Sequence, residues 1–283
     1  IGTAGGIYIV PLYALIQSRC EKHHVARVIA ANNILNAGFM VVSALVSLLL
    51  FRAGLDIPQL FLVTALFNAV VALYIYTLVP EFLMRFIVWM LIHTVYRLDT
   101  RDLERIPDDG PAVVVCNHVS FVDALVITAA CRRPIRFVMD HRIFRTPILS
   151  FVFRTNRCIP IAPAKEDPVL LERAYDDIAA ALEAGDLVGL FPEGRITDTG
   201  ELYPFKPGIT RIVGRTPVPV IPLALRGLWG SFFSRKDGPA MRRVPRRGPF
   251  SRIELVAGDA VAPDAATPAA LQAIVAGLRG ERR

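Results

Sequence analysis

Three long stretches without a charged residue constrain what the first third of this chain can become. They cover residues 1–18, 28–51 and 57–80. A helix rises about 1.5 Å per residue, so a helix of about 24 residues is roughly 36 Å long, against a hydrocarbon core of about 30 Å. We therefore expect three transmembrane helices, of which the first is truncated. A signal peptide would be a single, shorter apolar segment with a cleavage site, which disfavours that interpretation.

The links between these stretches predict their orientation. Residues 19–27 carry basic side chains, whereas the link at 52–56 is short and balanced in charge. Because basic residues are enriched in cytoplasmic loops, we expect the first link, and everything after Pro80, to be cytoplasmic. This predicts a multi-pass protein of the inner (cytoplasmic) membrane. The chain begins at Ile1 inside an apolar stretch, so we expect a fragment of a longer membrane protein.

The composition limits the partners of the chain. Of 283 residues, 53% are hydrophobic, and the net charge of +7 is concentrated near the carboxyl end. Between Arg226 and Arg252, one acid faces eight basic residues, namely Arg226, Arg235, Lys236, Arg242, Arg243, Arg246, Arg247 and Arg252. Such a cluster suits nucleic acid, anionic lipid or an acidic carrier protein, and beside membrane spans lipid headgroups are favoured. The scattered cysteines, without a CxxC pair, predict a reducing compartment and no metal site.

Two apolar segments each leave two interpretations open. Asn32 and Asn36 share one face of the second span, where they form either a polar transport path or a contact between helices. Residues 82–97 are apolar but interrupted by basic side chains, which is typical of a helix lying in the membrane interface. The alternative is a buried helix of the next domain.

From about residue 98 the pattern predicts an α/β domain with a mixed sheet covered by helices. Apolar runs predict strands at 112–116, 135–139, 158–161, 187–191, 218–225 and 252–258, and helices are expected at 120–131, 143–153 and 167–184. Strands that are apolar throughout indicate a sheet covered on both faces. The predicted organisation is transmembrane helices at 1–80, an interfacial linker at 81–97 and the α/β domain at 98–283.

The stretch CNHVSFVDAL places a histidine where a predicted strand gives way to a helix. Ser120 is a good helix N-cap and Asp123 stands in the position of a capping box, which is a structural explanation for that carboxylate. It does not explain His118, which lies at the exit of a strand, where open α/β sheets place their sites. An imidazole whose other nitrogen is held by a carboxylate is the general base of acyl transfer. Cys116 is a candidate nucleophile, or a core residue at the end of an apolar strand.

A second polar group follows the strand predicted at 187–191, in the stretch GLFPEGRIT. Gly194 allows close approach of the backbone, and Arg195 offers a fork for phosphate. Glu193 can orient that arginine or a substrate hydroxyl. A surface turn with a salt bridge is the alternative.

Together the two motifs resemble those of the glycerolipid acyltransferases, which acylate glycerol phosphate and lysophospholipids. The resemblance rests on NH followed by D after four intervening residues, and on FPEGR some 70 residues later. The string FPEGRITDTGELYPFKPG further resembles the acyltransferase module of bacterial 2-acylglycerophosphoethanolamine acyltransferases. The first 80 residues are similar to the last helices of a major facilitator lysophospholipid transporter, which in some bacteria is fused to that module.

The resemblance implies a role for each matching residue. His118 is the expected general base and Asp123 fixes its tautomer. The substrate-binding positions that match are Asn117, Arg157, Phe191, Pro192, Glu193, Gly194 and Arg195, and the last three correspond to the motif that holds the acceptor phosphate. The family's second substrate motif commonly ends in an acidic residue followed by arginine. Here Ile161 is followed by Ala162 instead, which weakens the assignment of Arg157 to substrate binding.

The predicted reaction moves a fatty acyl group from an acyl thioester to a hydroxyl of a lysophospholipid or lysophosphatidate. The co-substrate is acyl carrier protein or coenzyme A thioester, and no further cofactor is expected. Backbone amides after Ser120 are the predicted donors to the oxyanion. A lysophospholipid transporter with an accessory acyltransferase-like domain is the alternative.

Overall fold

The computed structural model describes residues 6, 9–10, 13–14, 16, 20, 23–78, 80–145, 147–236, 238–242 and 250–281. The chain divides into two compact units, Ile1–Leu83 and Met84–Arg283. This division differs by a few residues from the predicted boundary at 80, because the helix that follows spans the junction.

The first unit contains two long apolar helices, α1 (Val25–Arg52) and α2 (Ile57–Leu78). Both are long and apolar enough to cross a membrane, α2 over Ile57–Ile75. The predicted spans at 28–51 and 57–80 are thus helices, but the described residues contain two candidate spans rather than three. Most of the predicted first span at 1–18 lies outside the described residues.

The two asparagines of α1 make a contact with the preceding apolar stretch. The Nδ2 groups of Asn32 and Asn36 donate to the Tyr13 hydroxyl at 2.9 and 3.0 Å. This is the interhelical contact that was one of the two interpretations of these residues.

Helix α3 (Pro80–Val95) occupies the segment predicted to lie in the membrane interface. Val88 and Ile92 are buried in the core of the second unit, so the alternative of a packed domain helix is correct for this face. Trp89, Met90 and Leu91 are exposed, so the opposite face remains apolar and open. From Met84 onward, α3 therefore belongs to the α/β unit.

The described part of the second unit contains seven strands, β1 (Tyr96–Arg101), β2 (Ala112–Cys116), β3 (Ile135–Asp140), β4 (Ile159–Ile161), β5 (Leu187–Leu190), β6 (Val220–Arg226) and β7 (Ser251–Ala257). The remaining helices of the described residues are α4 (Asp123–Ala130), α5 (Pro147–Thr155), α6 (Pro168–Glu183), α7 (Gly208–Arg215) and α8 (Pro268–Arg279), with short 3₁₀ turns at Leu103–Arg105 and Ile143–Arg145.

The strands form one mixed sheet in the order β1-β7-β6-β2-β5-β3-β4. All neighbours are parallel except β6 and β7. Alternate residues of β2 enter two separate cores: Val114 belongs to the core on one face, and Val113 and Val115 to the core on the other. Burial on both faces explains why this strand reads as a continuous apolar run.

The predicted strands are confirmed within about two residues of their observed bounds. The structure adds β1, whose residues were expected at the end of the interfacial segment and just after it. It also adds the helices α7 and α8, for which the sequence predicted no element. β1 reads YRLDTR and is largely exposed at the edge of the sheet, so it lacks the apolar pattern that marks a covered strand.

Candidate active site

The register of the sheet brings the two polar motifs together. Val115 on β2 pairs with Leu190 on β5. His118 and Glu193 each lie three residues beyond that pair, so they are neighbours at the carboxyl ends of two adjacent parallel strands. The His118 amide donates to Glu193 Oε1 at 2.7 Å, and the Thr197 amide donates to the His118 carbonyl at 2.9 Å.

The predicted pair of His118 and Asp123 is present. His118 Nδ1 lies 2.8 Å from Asp123 Oδ2, the imidazole is 21% exposed and the carboxylate is fully buried. A carboxylate only accepts hydrogen bonds, so Nδ1 carries the proton and Nε2 carries the lone pair. The amides of Val119 and Ser120 also donate to Oδ2, at 2.6 and 2.9 Å, which fixes the carboxylate as well as the ring.

Phe191 holds the imidazole from one side. Its ring stacks on that of His118 with centroids 4.2 Å apart and an interplanar angle of 15°. Phe137 stacks on Phe191 in turn, at 5.8 Å. The predicted substrate-binding residue Phe191 thus also limits the rotation of the imidazole.

Glu193 connects three segments of the site instead of pairing with Arg195. Its Oε2 accepts from the Tyr203 amide at 2.7 Å, while Oε1 accepts from His118. Burial raises the pKa of this carboxyl, and the two amide donors oppose that rise. Orientation of the arginine was one of the two predicted roles of Glu193, and the structure does not show it: both oxygens accept hydrogen bonds from the main chain.

The backbone amides after the histidine are already engaged. Those of Val119 and Ser120 bind Asp123, that of Phe121 binds the Phe233 carbonyl at 3.1 Å, and that of Val122 binds Ser120 Oγ at 3.1 Å. Half of the predicted capping box is present, since Asp123 reaches back to the Ser120 amide. The prediction that these amides bind the oxyanion does not hold in this conformation, because each is used within the fold.

Asn117 is a structural residue. Its side chain is buried, and its amide exchanges two hydrogen bonds with the main chain of Leu225 on β6, at 2.8 and 3.0 Å. The prediction that it binds substrate is corrected: the side chain joins the carboxyl ends of β2 and β6, and thereby supports the loop that carries His118.

Arg195 is an exposed residue of the FPEGR loop. Its guanidinium stacks over the Tyr203 ring at 3.7 Å, and the Tyr203 hydroxyl donates to Asp198. The bond from Tyr203, and then the charges of Arg195 and Arg235, lower the pKa of Asp198. The arginine is thus oriented by an aromatic face and keeps its charge at the surface.

A second cation lies against Gly194, and the sequence analysis did not assign it. Gly194 has a φ of +66°, and a Cβ there would collide with the Lys206 side chain. The Lys206 amide donates to the Pro192 carbonyl at 2.9 Å, which ties it to the FPEGR loop. The signal for this residue was the FKPG at the end of the string that carried the resemblance.

The structure does not bring Arg157 to this site. It precedes the edge strand β4, which is separated from β2 by β5 and β3. At roughly 4.8 Å per strand, β4 lies about 14 Å from β2 across the sheet. In addition, Arg157 precedes the amino end of β4, whereas His118 follows the carboxyl end of β2. Its φ of +51° belongs to the turn that begins β4.

Cys116 is a core residue. It is buried, and burial raises the pKa of its thiol well above the usual value, with the charge of Asp123 adding to the effect. A protonated, inaccessible thiol is not a nucleophile.

Residues 97–226 match the family model described as "Acyltransferase". The chain is 31% identical over 137 residues to a chloroplastic 1-acyl-sn-glycerol-3-phosphate acyltransferase of Brassica napus, covering 48% of this chain and 39% of that protein. It is 26% identical over 147 residues to the human 1-acyl-sn-glycerol-3-phosphate acyltransferase beta, covering 50% of each. The chain therefore spans two fifths to half the length of these relatives.

A solved structure agrees in fold. The crystal structure of the 1-acyl-sn-glycerophosphate acyltransferase of Thermotoga maritima superposes with a TM-score of 0.53 at 19% identity, covering 77% of this chain and 92% of that one. At this identity the likeness concerns the fold. Residues 97–226 of the second unit thus match the acyltransferase family model, and this match includes both motifs of the site. The family model and both of these relatives are acyltransferases by name.

Proposed function

We propose that this protein transfers a fatty acyl group from an acyl thioester to a hydroxyl of lysophosphatidate or another lysophospholipid. The observation that carries the proposal is the 2.8 Å contact between His118 Nδ1 and the buried carboxylate of Asp123. The names of the relatives, which act on 1-acylglycerol phosphate, support the substrate class.

The chemistry requires a base with one free nitrogen. Asp123 holds the Nδ1 proton of His118, so Nε2 accepts the proton of the acceptor hydroxyl. The hydroxyl oxygen attacks the thioester carbonyl carbon and a tetrahedral intermediate forms. The carbon–sulfur bond then breaks, and the imidazolium returns its proton to the departing thiolate. General-base assistance of this kind contributes about 10²- to 10⁴-fold.

Arg195 and Lys206 form the anion-binding side of the site. Both are exposed, both belong to the loop that contacts His118, and neither forms a salt bridge among the described residues. The Arg195 fork suits the oxygens of a phosphate monoester, and the Lys206 ammonium adds a point charge beside it. We propose that they hold the acceptor phosphate while its hydroxyl reaches His118.

The acyl donor is proposed to be an acidic carrier protein. Of the eight basic residues from Arg226 to Arg252, Arg226 is engaged with Glu254 at 2.8 Å, while Arg235, Lys236, Arg242 and Arg252 are exposed. The remaining members lie outside the described residues. Exposed positive charge of this kind favours an acidic protein surface.

The two apolar helices of the first unit suggest association with a membrane, where the lysophospholipid acceptor resides. We propose that the protein is a multi-pass protein of the inner membrane with its α/β unit on the cytoplasmic side. The fusion to a major facilitator transporter stays a prediction from the resemblance of the first 80 residues.

The proposed activity is tested in membranes that contain the whole chain. They are incubated with a labelled acyl thioester and lysophosphatidate, lysophosphatidylethanolamine or monoacylglycerol, and the diacyl products are separated. Labelled phosphatidate or diacyl phospholipid is expected above membranes without the protein. The absence of every labelled product, with both carrier-protein and coenzyme A donors, would reject the proposal.

A further inference from the structure

Helix α8 contacts the anion-binding side of the site through two polar side chains. Gln272 and Arg279 are seven positions apart, which is about two helical turns, so they share one face of the helix. Gln272 Oε1 accepts the Phe205 amide at 3.0 Å. Arg279 donates to the Gly200 carbonyl at 2.8 Å and to Glu201 Oε2 at 3.0 Å. The two side chains therefore hold both ends of the segment from Gly200 to Phe205.

Helix α8 is itself fixed in the fold. Leu271 and Val275 are fully buried in the core on one face of the sheet. Thr267 caps the amino end of the helix through its hydroxyl, and Arg226 on β6 donates to the Leu278 carbonyl near the carboxyl end. A helix that is held at both ends and along its buried face is a rigid support for the side chains that it carries.

The segment that α8 holds determines where the two cations of the site lie. Tyr203 belongs to this segment, and the Arg195 guanidinium lies over its ring at 3.7 Å. Lys206 directly follows Phe205, and its side chain lies against Gly194. A displacement of the segment would therefore move the aromatic face that orients the arginine and the main chain that carries the lysine.

We propose that Arg279 and Gln272 are positioning residues for the binding of the acceptor phosphate. They fix the segment from Gly200 to Phe205, and thereby keep the Arg195 fork and the Lys206 ammonium directed at one anion. Arg279 acts at one end of the segment and Gln272 at the other. The role rests on the proposed function, because the anion is the phosphate of lysophosphatidate. Helix α8 follows the residues 97–226 that match the family model, so this support lies outside the matched range.

The experiment compares wild type with Arg279→Ala in the whole chain. Equilibrium binding of labelled lysophosphatidate and of labelled monoacylglycerol is measured in mixed micelles, without an acyl donor. We expect the Kd for lysophosphatidate to rise about 3- to 10-fold, the size of an interaction between coupled residues, and the Kd for monoacylglycerol to stay at its wild-type value. In acyl transfer, KM for lysophosphatidate is expected to rise in the same way, while kcat changes less than KM.

Two further variants keep the test decisive if Arg279→Ala folds poorly. Arg279→Lys retains a charged donor, so its Kd for lysophosphatidate is expected to lie between those of wild type and Arg279→Ala. Gln272→Leu keeps the size of the side chain but removes the acceptor of the Phe205 amide. It is expected to raise the Kd for lysophosphatidate without changing that for monoacylglycerol.

Arg133→Ala is the matched control for the loss of an arginine that binds main-chain carbonyls. Arg133 donates to the carbonyls of Pro107, Gly110 and Gly185 at 2.7–2.9 Å, just before the amino ends of β2 and β5. This is the edge of the sheet opposite His118. The substitution is expected to lower the melting temperature but to leave the Kd for both acceptors unchanged.

A combined variant tests whether the effect of α8 passes through the two cations. When Arg195 and Lys206 are both replaced by glutamine, the further change Arg279→Ala is expected to raise the Kd for lysophosphatidate no more. An additional rise of the same size as in wild type would show that Arg279 acts by another route and would overturn the proposed positioning.

The outcomes separate the positioning role from the proposed function. A Kd for lysophosphatidate that is equal in wild type, Arg279→Ala and Gln272→Leu would overturn the role of α8, whether or not acyl transfer is observed. An equal rise for lysophosphatidate and monoacylglycerol would also overturn it, because the side chains would then support the fold alone. A rise confined to lysophosphatidate in a protein without acyl transfer would support the positioning and count against the proposed function.

Discussion

The main-chain amide of His118 donates a 2.7 Å hydrogen bond to Oε1 of Glu193, a residue 75 positions further along the chain. This bond joins the loop after β2 to the loop after β5, and the second oxygen of Glu193 adds the segment that begins at Tyr203. The site therefore depends on a carboxylate that acts on the main chain, beside the carboxylate of Asp123 that acts on the imidazole.

Replacing Glu193 tests this connection through stability. In Glu193→Gln one carboxylate oxygen becomes an NH₂ group, so one of the two backbone amides loses its acceptor, at a cost of about 1–3 kcal/mol. We expect a lower melting temperature and a lower kcat together, measured by thermal unfolding in detergent and by acyl transfer. An unchanged melting temperature would show that these two hydrogen bonds contribute little.

The pH dependence of stability gives a second test of Glu193. Burial raises the pKa of its carboxyl in the folded protein. An acid with a raised folded pKa contributes stability below its unfolded pKa of about 4.3, and this is lost as the pH rises through the folded value. The melting temperature of wild type relative to Glu193→Gln should therefore increase as the pH is lowered from about 7 towards about 4. A difference that is constant over this range contradicts the assignment.

Asp123→Asn removes the charge that holds the imidazole. The amide retains one oxygen for the donors of Val119 and Ser120 but can also donate to Nδ1, which favours the wrong tautomer of His118. We expect kcat to fall by roughly two to four orders of magnitude, as for other bases that lose an orienting carboxylate. The change is read from single-turnover acyl transfer, and a loss of less than about threefold would deny the carboxylate this role.

Phe191→Leu tests the stacking on the imidazole. The substitution keeps an apolar side chain but removes the face that lies 4.2 Å from the His118 ring. Aromatic pairs contribute about 0.5–1.5 kcal/mol beyond their buried area, so we expect kcat to fall about 3- to 10-fold with little change in KM. The kinetics are measured at saturating donor. A change confined to KM would place Phe191 against the substrate and not against the base.

The cation pair is tested by Arg195→Gln combined with Lys206→Gln. Charged hydrogen bonds contribute roughly 1.5–3 kcal/mol, so KM for lysophosphatidate is expected to rise about 10- to 100-fold. The KM for monoacylglycerol, which lacks the phosphate, should stay at its wild-type value. Arg215→Gln is the matched control, since this exposed arginine on α7 pairs with Asp176 at 2.5 Å. Equal losses for both acceptors would mean that the pair does not bind phosphate.

The sequence predicted most of the sheet and the contact between His118 and Asp123, for reasons that are local. β2 and β5 are covered on both faces, so each is marked by its own apolar run. His118 and Asp123 are five positions apart, and the step from strand to helix alone brings them together. The edge strand β1 has no such mark, because its residues are largely exposed and its pairing with β7 is set by the rest of the fold.

The roles that the sequence did not predict depend on distant partners. Asn117 binds Leu225, which is 108 positions away, and Glu193 binds amides of two other segments. Both are chemically able to bind substrate, and only the register of the sheet shows that their polar atoms are already used. Lys206 was missed for the same reason, since its position against Gly194 arises from the path of the intervening loop.

The most direct test of the account is to replace His118 by alanine and follow transfer of a labelled acyl group in membranes containing the whole chain. We expect a loss of about 10²-fold or more in kcat, with the protein still folded. His93→Ala, at an exposed histidine of α3 whose Nδ1 lies 2.8 Å from the Trp89 carbonyl, is expected to retain activity. Undiminished acyl transfer by the His118 variant would contradict the assignment of this imidazole as the base.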